Sequence, residues 1–98
     1  MNFTNFMLKN LVRRLKRNLK TDAIKIQIDF INDVVIINDK ISDNVDLLKN
    51  KDLIRDLVLD KHGVKDLHAI MIFSDDNSKV FEANIFYEEN GNKLKKEL

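Results

Sequence analysis

The spacing of apolar residues along the chain changes abruptly near Thr21. Before it, apolar residues occupy the i, i+3, i+4 and i+7 positions of a helical repeat, namely Leu8, Leu11, Val12, Leu15 and Leu19. This is the spacing of one face of an amphipathic α-helix. After it, apolar and polar residues alternate, with Ile24, Ile26, Ile28 and Phe30 at the apolar positions. That alternation is typical of a β-strand with one buried face, so the chain is predicted to pack helix on sheet.

Two helices are predicted. The first covers residues 4–20. The second follows a cap at Ser42 or Asp43 and ends near His62, where Gly63 can adopt the positive φ angle that commonly terminates a helix. Its predicted buried stripe consists of five apolar residues: Leu47, Leu53, Ile54, Leu57 and Val58.

Two β-hairpins complete the predicted fold. The first joins residues 23–30 to residues 34–38 through a two-residue turn, which places Phe30 opposite Val35. The second joins residues 67–73 to residues 80–87 and places Ile72 opposite Phe81. The element order is therefore α-β-β-α-β-β. In the α+β class, this order packs most simply as a four-stranded antiparallel sheet with two helices packed on one face.

The length of 98 residues supports one hydrophobic core, so residues 1–98 are predicted to form a single domain, with residues 89–98 as a frayed tail. The chain has no cysteine, which excludes disulfides and thiolate metal sites, and only two glycines, which excludes a glycine-rich phosphate loop. Its apolar runs are too short for a membrane span or a signal peptide. We therefore expect a cytoplasmic protein with no cofactor and no evident small-molecule substrate.

The titratable residues form no recognisable catalytic or metal-binding pattern. Asp29, Asp33 and Asp39 surround the first predicted hairpin and are best interpreted as solvated turn residues. His62 lies at the predicted end of a helix, and His68 near the edge of a buried strand face. We therefore predict no catalytic residues, no metal site and no enzymatic activity.

The first predicted helix is strongly basic. Residues 1–20 carry six of the 17 basic residues and none of the 16 acidic ones, although the whole chain has a net charge of only +1. The predicted partner-binding residues are Lys9, Arg13, Arg14, Lys16, Arg17 and Lys20. Such a cluster suits an acidic protein or a nucleic acid. One competing interpretation is a solvated helix face whose charge is compensated by the acidic second helix. Another is an anchor at a membrane surface, which is disfavoured because the apolar face of this helix is needed for the core.

The sheet face turned away from the helices is predicted to be unusually apolar, and it carries the predicted interface residues Ile31, Val34, Ile36, Met71, Phe73, Val80 and Phe86. Large exposed apolar patches usually mark interfaces, so a homodimer or a protein partner is expected there. The sequence thus favours a small non-enzymatic binding protein, such as an inhibitor or adaptor encoded by a mobile element. It would use this face for dimerisation or protein binding and the basic helix for an acidic partner. The alternative is a DNA- or RNA-binding protein that contacts phosphates through that helix.

Overall fold

The computed structural model describes residues 3–75 and 81–98. In this part of the chain, the elements are α1 (Phe3–Leu19), β1 (Ile24–Asp29), β2 (Val34–Ile37), β3 (Lys40–Ile41), α2 (Val45–His62), β4 (Asp66–Ser74), β5 (Phe81–Glu89) and β6 (Asn92–Glu97). The prediction of an α+β fold with two helices and an antiparallel sheet is confirmed.

The sheet has six strands in the spatial order β3-β2-β1-β4-β5-β6, and all neighbours are antiparallel. The predictions of four strands and of the order α-β-β-α-β-β are therefore wrong. The additional strands follow two tight reversals, in which Asn38 and Asp39 have φ angles of 49° and 69°, and Asn90 and Gly91 have φ angles of 53° and 80°. Two-residue hairpin turns need this positive φ at both positions, and Asn, Asp and Gly tolerate it. Residues 92–97, predicted as part of a frayed tail, form β6.

Both predicted hairpin registers are wrong by two residues. Val35 lies opposite Ile28 rather than Phe30, and Ile72 lies opposite Ala83 rather than Phe81. In the first hairpin, the Asp29 carboxylate accepts hydrogen bonds from the backbone N–H groups of Ile31 (2.9 Å) and Asn32 (3.0 Å), which stabilises a four-residue turn instead of a two-residue one. Because a shift of two residues preserves the alternation of side chains, each strand still buries its predicted face.

The core lies between one face of the sheet and both helices. It combines buried residues of α1, α2 and alternate positions of the central strands. Two predicted core residues are exposed: Leu19 (49%), the last residue of α1, and Leu53 (51%). The buried residues of α2 are Leu47, Ile54 and Val58, a narrower stripe than the five residues predicted.

The ends of α2 are defined by two caps. Asn44, rather than Ser42 or Asp43, is the N-cap, and its side-chain oxygen accepts a hydrogen bond from the Leu47 N–H at 3.1 Å. Gly63 ends the helix as predicted, with φ of 65° and its N–H donating to the Leu59 carbonyl.

Candidate interaction surfaces

The face of the sheet opposite the helices is here called the open face, because no described element packs over it. Five of the seven predicted interface residues lie on it: Val34, Ile36, Met71, Phe73 and Phe86. Phe73 is 42% exposed, and the other four are half-buried. Ile31 instead lies in the four-residue turn and is exposed, and Val80 lies outside the described residues.

Cross-strand rows on the open face combine apolar and polar side chains. Residues paired across neighbouring strands share one face of a sheet, so the register defines each row directly. One row is Lys25–Phe73–Glu82, the next is Gln27–Met71–Asn84, and the third is Asp29–Ala69–Phe86. In the first two rows an apolar residue of β4 is flanked by polar residues. The flanking charges of the first row have opposite signs.

The basic surface of α1 comprises the six cations predicted from sequence, including Lys20, which directly follows the helix, and five of them are exposed. Lys16 is the exception. Its Nζ donates to the Ser74 Oγ at 2.8 Å and to the Asp75 carbonyl at 2.6 Å, and Ser74 is itself buried. Lys16 therefore ties α1 to the end of β4, a contact that sequence reasoning missed.

The remaining cations of α1 are turned to solvent. Arg13 donates a hydrogen bond to the Asn10 side chain at 3.3 Å. Across residues 3–75 and 81–98, none of the ion pairs includes Arg13, Arg14, Arg17 or Lys20.

The acidic residues of α2 do not neutralise these four cations. Asp52 and Asp56 instead pair with Arg55 of their own helix, at 3.6 and 3.5 Å. Lys51 of α2 forms an ion pair with Asp33, with 2.6 Å between its Nζ and the carboxylate oxygen. The hydrogen bond to this carboxylate raises the pKa of Lys51. That contact fixes α2 to the turn between β1 and β2. In the described structure, no ion pair at these four cations supports compensation of α1 by the acidic second helix, one of the interpretations left open by the sequence.

The two histidines differ in environment. The Nε2 of His62 is buried without a hydrogen-bond partner among the described residues, and burial, together with the positive charges of Lys61 and Lys96, lowers the pKa of His62. His68 is half-buried, and its Nε2 lies 3.4 Å from the Asp66 Oδ1 and 3.7 Å from the Glu88 Oε2. The sequence does not indicate this cluster, because it depends on how β4 pairs with β5.

The Asp29 carboxylate is held in its ionised form by the turn that it stabilises. The hydrogen bond from the Asn32 backbone N–H is the main cause that lowers the pKa of Asp29, while partial desolvation opposes it. A Coulombic interaction with His68 also lowers the pKa of Asp29, but it is the smallest of the causes. Asp29 is therefore a structural turn residue, in agreement with its sequence interpretation.

Comparisons with family models, curated proteins and solved structures find no match to this chain. Among the described residues, no helix combines the length and apolar character needed to cross a membrane. The open face and the basic surface of α1 are the two surfaces that the sequence predicted to bind partners.

Proposed function

We propose that this chain is a non-enzymatic binding protein that forms a homodimer through its open face and binds an acidic partner through the basic surface of α1. The observation that carries the proposal is the self-complementarity of two rows of the open face, those through Phe73 and Met71. Met71 and Phe73 lie on β4 near the centre of this face, whereas the β1 residues beside them are polar. The row through Phe73 has an anion on β5 and a cation on β1, Lys25, which also pairs with Asp39 of its own chain at 2.9 Å.

A twofold axis parallel to β4 would bring this row into register with itself. Rotation about that axis exchanges β1 of one copy with β5 of the other, so Lys25 lies opposite Glu82 of the second copy. In the next row, the amide of Gln27 lies opposite the amide of Asn84. The β4 residues Met71 and Phe73 then meet their own counterparts. The ion pair and the amide pair are each formed twice, as an isologous interface requires.

The open face is large enough for a weak dimer. With strands about 4.8 Å apart and a rise of about 3.3 Å per residue, six strands of about six residues cover roughly 500 Å² in projection. Stable interfaces remove about 800 Å² of accessible surface per partner, and weak ones remove less. Because side-chain relief makes the accessible area larger than the projected area, the open face reaches the size of a small specific interface.

Charge reversal tests the dimer. Lys25→Glu alone, or Glu82→Lys alone, places like charges opposite each other twice and should abolish association, whereas the double variant restores opposite charges and should restore it. Sedimentation equilibrium across the micromolar range measures the dissociation constant, and Lys49→Glu on exposed α2 is the matched control. Wild-type protein that stays monomeric would refute the dimer. Single variants that associate as tightly as the wild type would refute the proposed register.

The acidic partner of α1 is better described as a protein than as a nucleic acid. Arginines dominate the exposed part of the basic surface, and their guanidinium groups form bidentate contacts with carboxylates as readily as with phosphates. The basic surface is confined to α1, however, and α2, which contacts α1, exposes Asp52, Asp56 and Asp60. A long nucleic acid that follows α1 would therefore approach these carboxylates, whereas a short acidic peptide segment would avoid them.

Competition between two defined probes tests this choice. A fluorescent oligo-glutamate peptide and a DNA duplex are titrated against the full chain by anisotropy at several salt concentrations. We expect tighter binding of the peptide, lost in Arg13→Glu/Arg17→Glu and retained in the matched reversal Lys49→Glu/Lys65→Glu. Tighter binding of the duplex, with a log–log salt slope near 3.6 for about four neutralised phosphates, would instead support the nucleic-acid alternative. If both double variants lose the same amount of peptide affinity, the peptide does not bind specifically to α1.

A further inference from the structure

Three side chains with metal-binding atoms converge at one end of β4 and β5. Asp66 and His68 belong to β4, and Glu88 of β5 lies directly opposite Asp66 in the register. One ligand atom from each lies within 4.8 Å of the other two. The cluster combines one imidazole with two carboxylates, the donor types found in many three-residue zinc sites.

A β-bulge places His68 in the cluster. The register shifts between Leu67 and Ala69, so His68 is an extra residue without a partner on β5. Its backbone carbonyl accepts a hydrogen bond from the Phe30 N–H at 2.9 Å, which anchors the bulge to the β1 side of the sheet. Bulges commonly redirect a side chain, and here the imidazole is directed towards both carboxylates.

The distances from His68 to the two carboxylates are longer than hydrogen bonds and close to those of shared coordination. The His68 Nε2 lies 3.4 and 3.7 Å from the two carboxylate oxygens. A charge-assisted N–H···O bond is normally about 2.7–2.9 Å long, so both distances exceed a good hydrogen bond. Zinc bonds of about 2.0–2.2 Å in a tetrahedral arrangement place neighbouring ligand atoms about 3.3–3.5 Å apart. Because Asp66 and Glu88 are on the surface, small side-chain rotations suffice to complete the arrangement.

The charge of the cluster also suits a divalent cation. The two carboxylates together carry a charge of −2, which one divalent ion neutralises, and binding of a metal ion requires the neutral form of the imidazole. Beside His68 is a cavity of about 320 Å³ that Phe86 and Leu94 help to line. Lys93 and Lys95 border the same cavity, and their positive charges partly offset those of the two carboxylates.

We propose that Asp66, His68 and Glu88 form a binding site for a zinc-class divalent cation, with water as the fourth ligand. All three protein ligands come from one copy of the chain, although Glu88 shares the open face with Phe86 and therefore lies beside the proposed dimer interface. The cation would join the start of β4 to the end of β5, the region where the bulge interrupts the regular pairing of these strands.

Metal titration of the full chain tests the site. After treatment with EDTA and removal of the chelator, Zn²⁺ is titrated by calorimetry, and Co²⁺ is added as a spectroscopic probe. We expect one Zn²⁺ per chain and the visible absorption of tetrahedral Co²⁺. His68→Gln, Asp66→Asn and Glu88→Gln should each weaken Zn²⁺ binding by at least about tenfold, since even residues outside the ligand set often contribute that much.

Matched variants separate this site from adventitious binding. His62→Gln changes the other histidine, and Glu89→Gln changes the exposed neighbour of Glu88. Both should bind Zn²⁺ within about twofold of the wild type. The proposal is overturned by the absence of Zn²⁺ binding, by an equal loss of affinity in His62→Gln, or by retention of full affinity in both carboxylate variants. Equally tight binding of Ca²⁺ would overturn the zinc-class assignment, because hard cations prefer more oxygen ligands. Circular dichroism of each variant confirms that the fold is retained.

Discussion

The Asn90–Gly91 turn provides a direct test of the β5–β6 hairpin. Gly91 has a φ angle of 80°, and a methyl group at its Cα would meet no atom within 4 Å. The penalty of Gly91→Ala therefore comes from the backbone alone. Left-handed conformations cost L-residues about 1–2 kcal/mol, and the lower entropy of the unfolded chain offsets about 0.4–1 kcal/mol, which leaves a net destabilisation of about 1 kcal/mol. With an unfolding entropy of about 0.2 kcal/mol/K for 98 residues, this corresponds to about 5 °C in Tm.

Gly63→Ala is the matched comparison. Gly63 also has a positive φ angle, 65°, and space around its Cα, but it joins α2 to β4 within the fold. We expect the full decrease of about 5 °C in Tm for Gly63→Ala, measured by circular dichroism. For Gly91→Ala, part of the effect should instead appear as faster hydrogen exchange of β6 amides, because a terminal hairpin can open locally.

Amide exchange at the Tyr87–Leu94 pair reports on this opening. Asn90→Gly should leave both measurements nearly unchanged, since Asn already tolerates the left-handed conformation. If Gly91→Ala changes neither Tm nor the protection of β6, residues 92–97 are not paired with β5 as described.

Three further predictions follow from single contacts. Asn44→Ala removes the acceptor for the Leu47 N–H and should lower stability by about 1 kcal/mol in urea denaturation; an unchanged midpoint would contradict the assignment of the N-cap. His62 has a lowered pKa in the folded state, so its contribution to stability is complete above about pH 6.5 and is lost as the pH falls towards the folded-state pKa. His62→Gln should therefore lose less stability than the wild type between pH 7.5 and 5.5, and identical losses would contradict the burial of this imidazole. Ile70→Ala, at a fully buried site, should cost about 2–5 kcal/mol, whereas Ile41→Ala, at a site 76% exposed, should change stability by less than about 0.5 kcal/mol.

The sequence predicted the elements that bury one face, because burial of one face gives apolar residues a regular spacing along the chain. Ile24, Ile26 and Ile28 alternate with polar residues because one face of β1 is buried, and Gly63 identifies the end of α2 because few other residues adopt its φ angle. The β6 strand was missed for the opposite reason. It is exposed along its whole length, so it has no apolar alternation, and the Asn90-Gly91 turn is the remaining local signal.

In the candidate sites, too, features set by neighbouring residues could be predicted, whereas contacts between residues distant in the chain could not. Phe73 could be assigned to the open face because strand alternation is local, although its partners Lys25 and Glu82 depend on registers that the turns decide. Lys16 was predicted to face a partner, but it contacts Ser74, 58 residues away in the chain. Periodicity carries no information about a contact at such a separation. The grouping of His68 with Glu88 likewise depends on a bulge and on strand pairing.

The placement of both helices on the same side of the sheet determines what a pair of copies could do. If two sheets stack back to back, each copy of α1 lies on an outer surface, and the two helices are separated by roughly 30 Å at about 10 Å per packed layer. Their arginines then point in opposite directions. Such an assembly could not enclose a single ligand between its helices, but it would be bivalent, and if each α1 binds an acidic molecule, as proposed, it would bridge two of them.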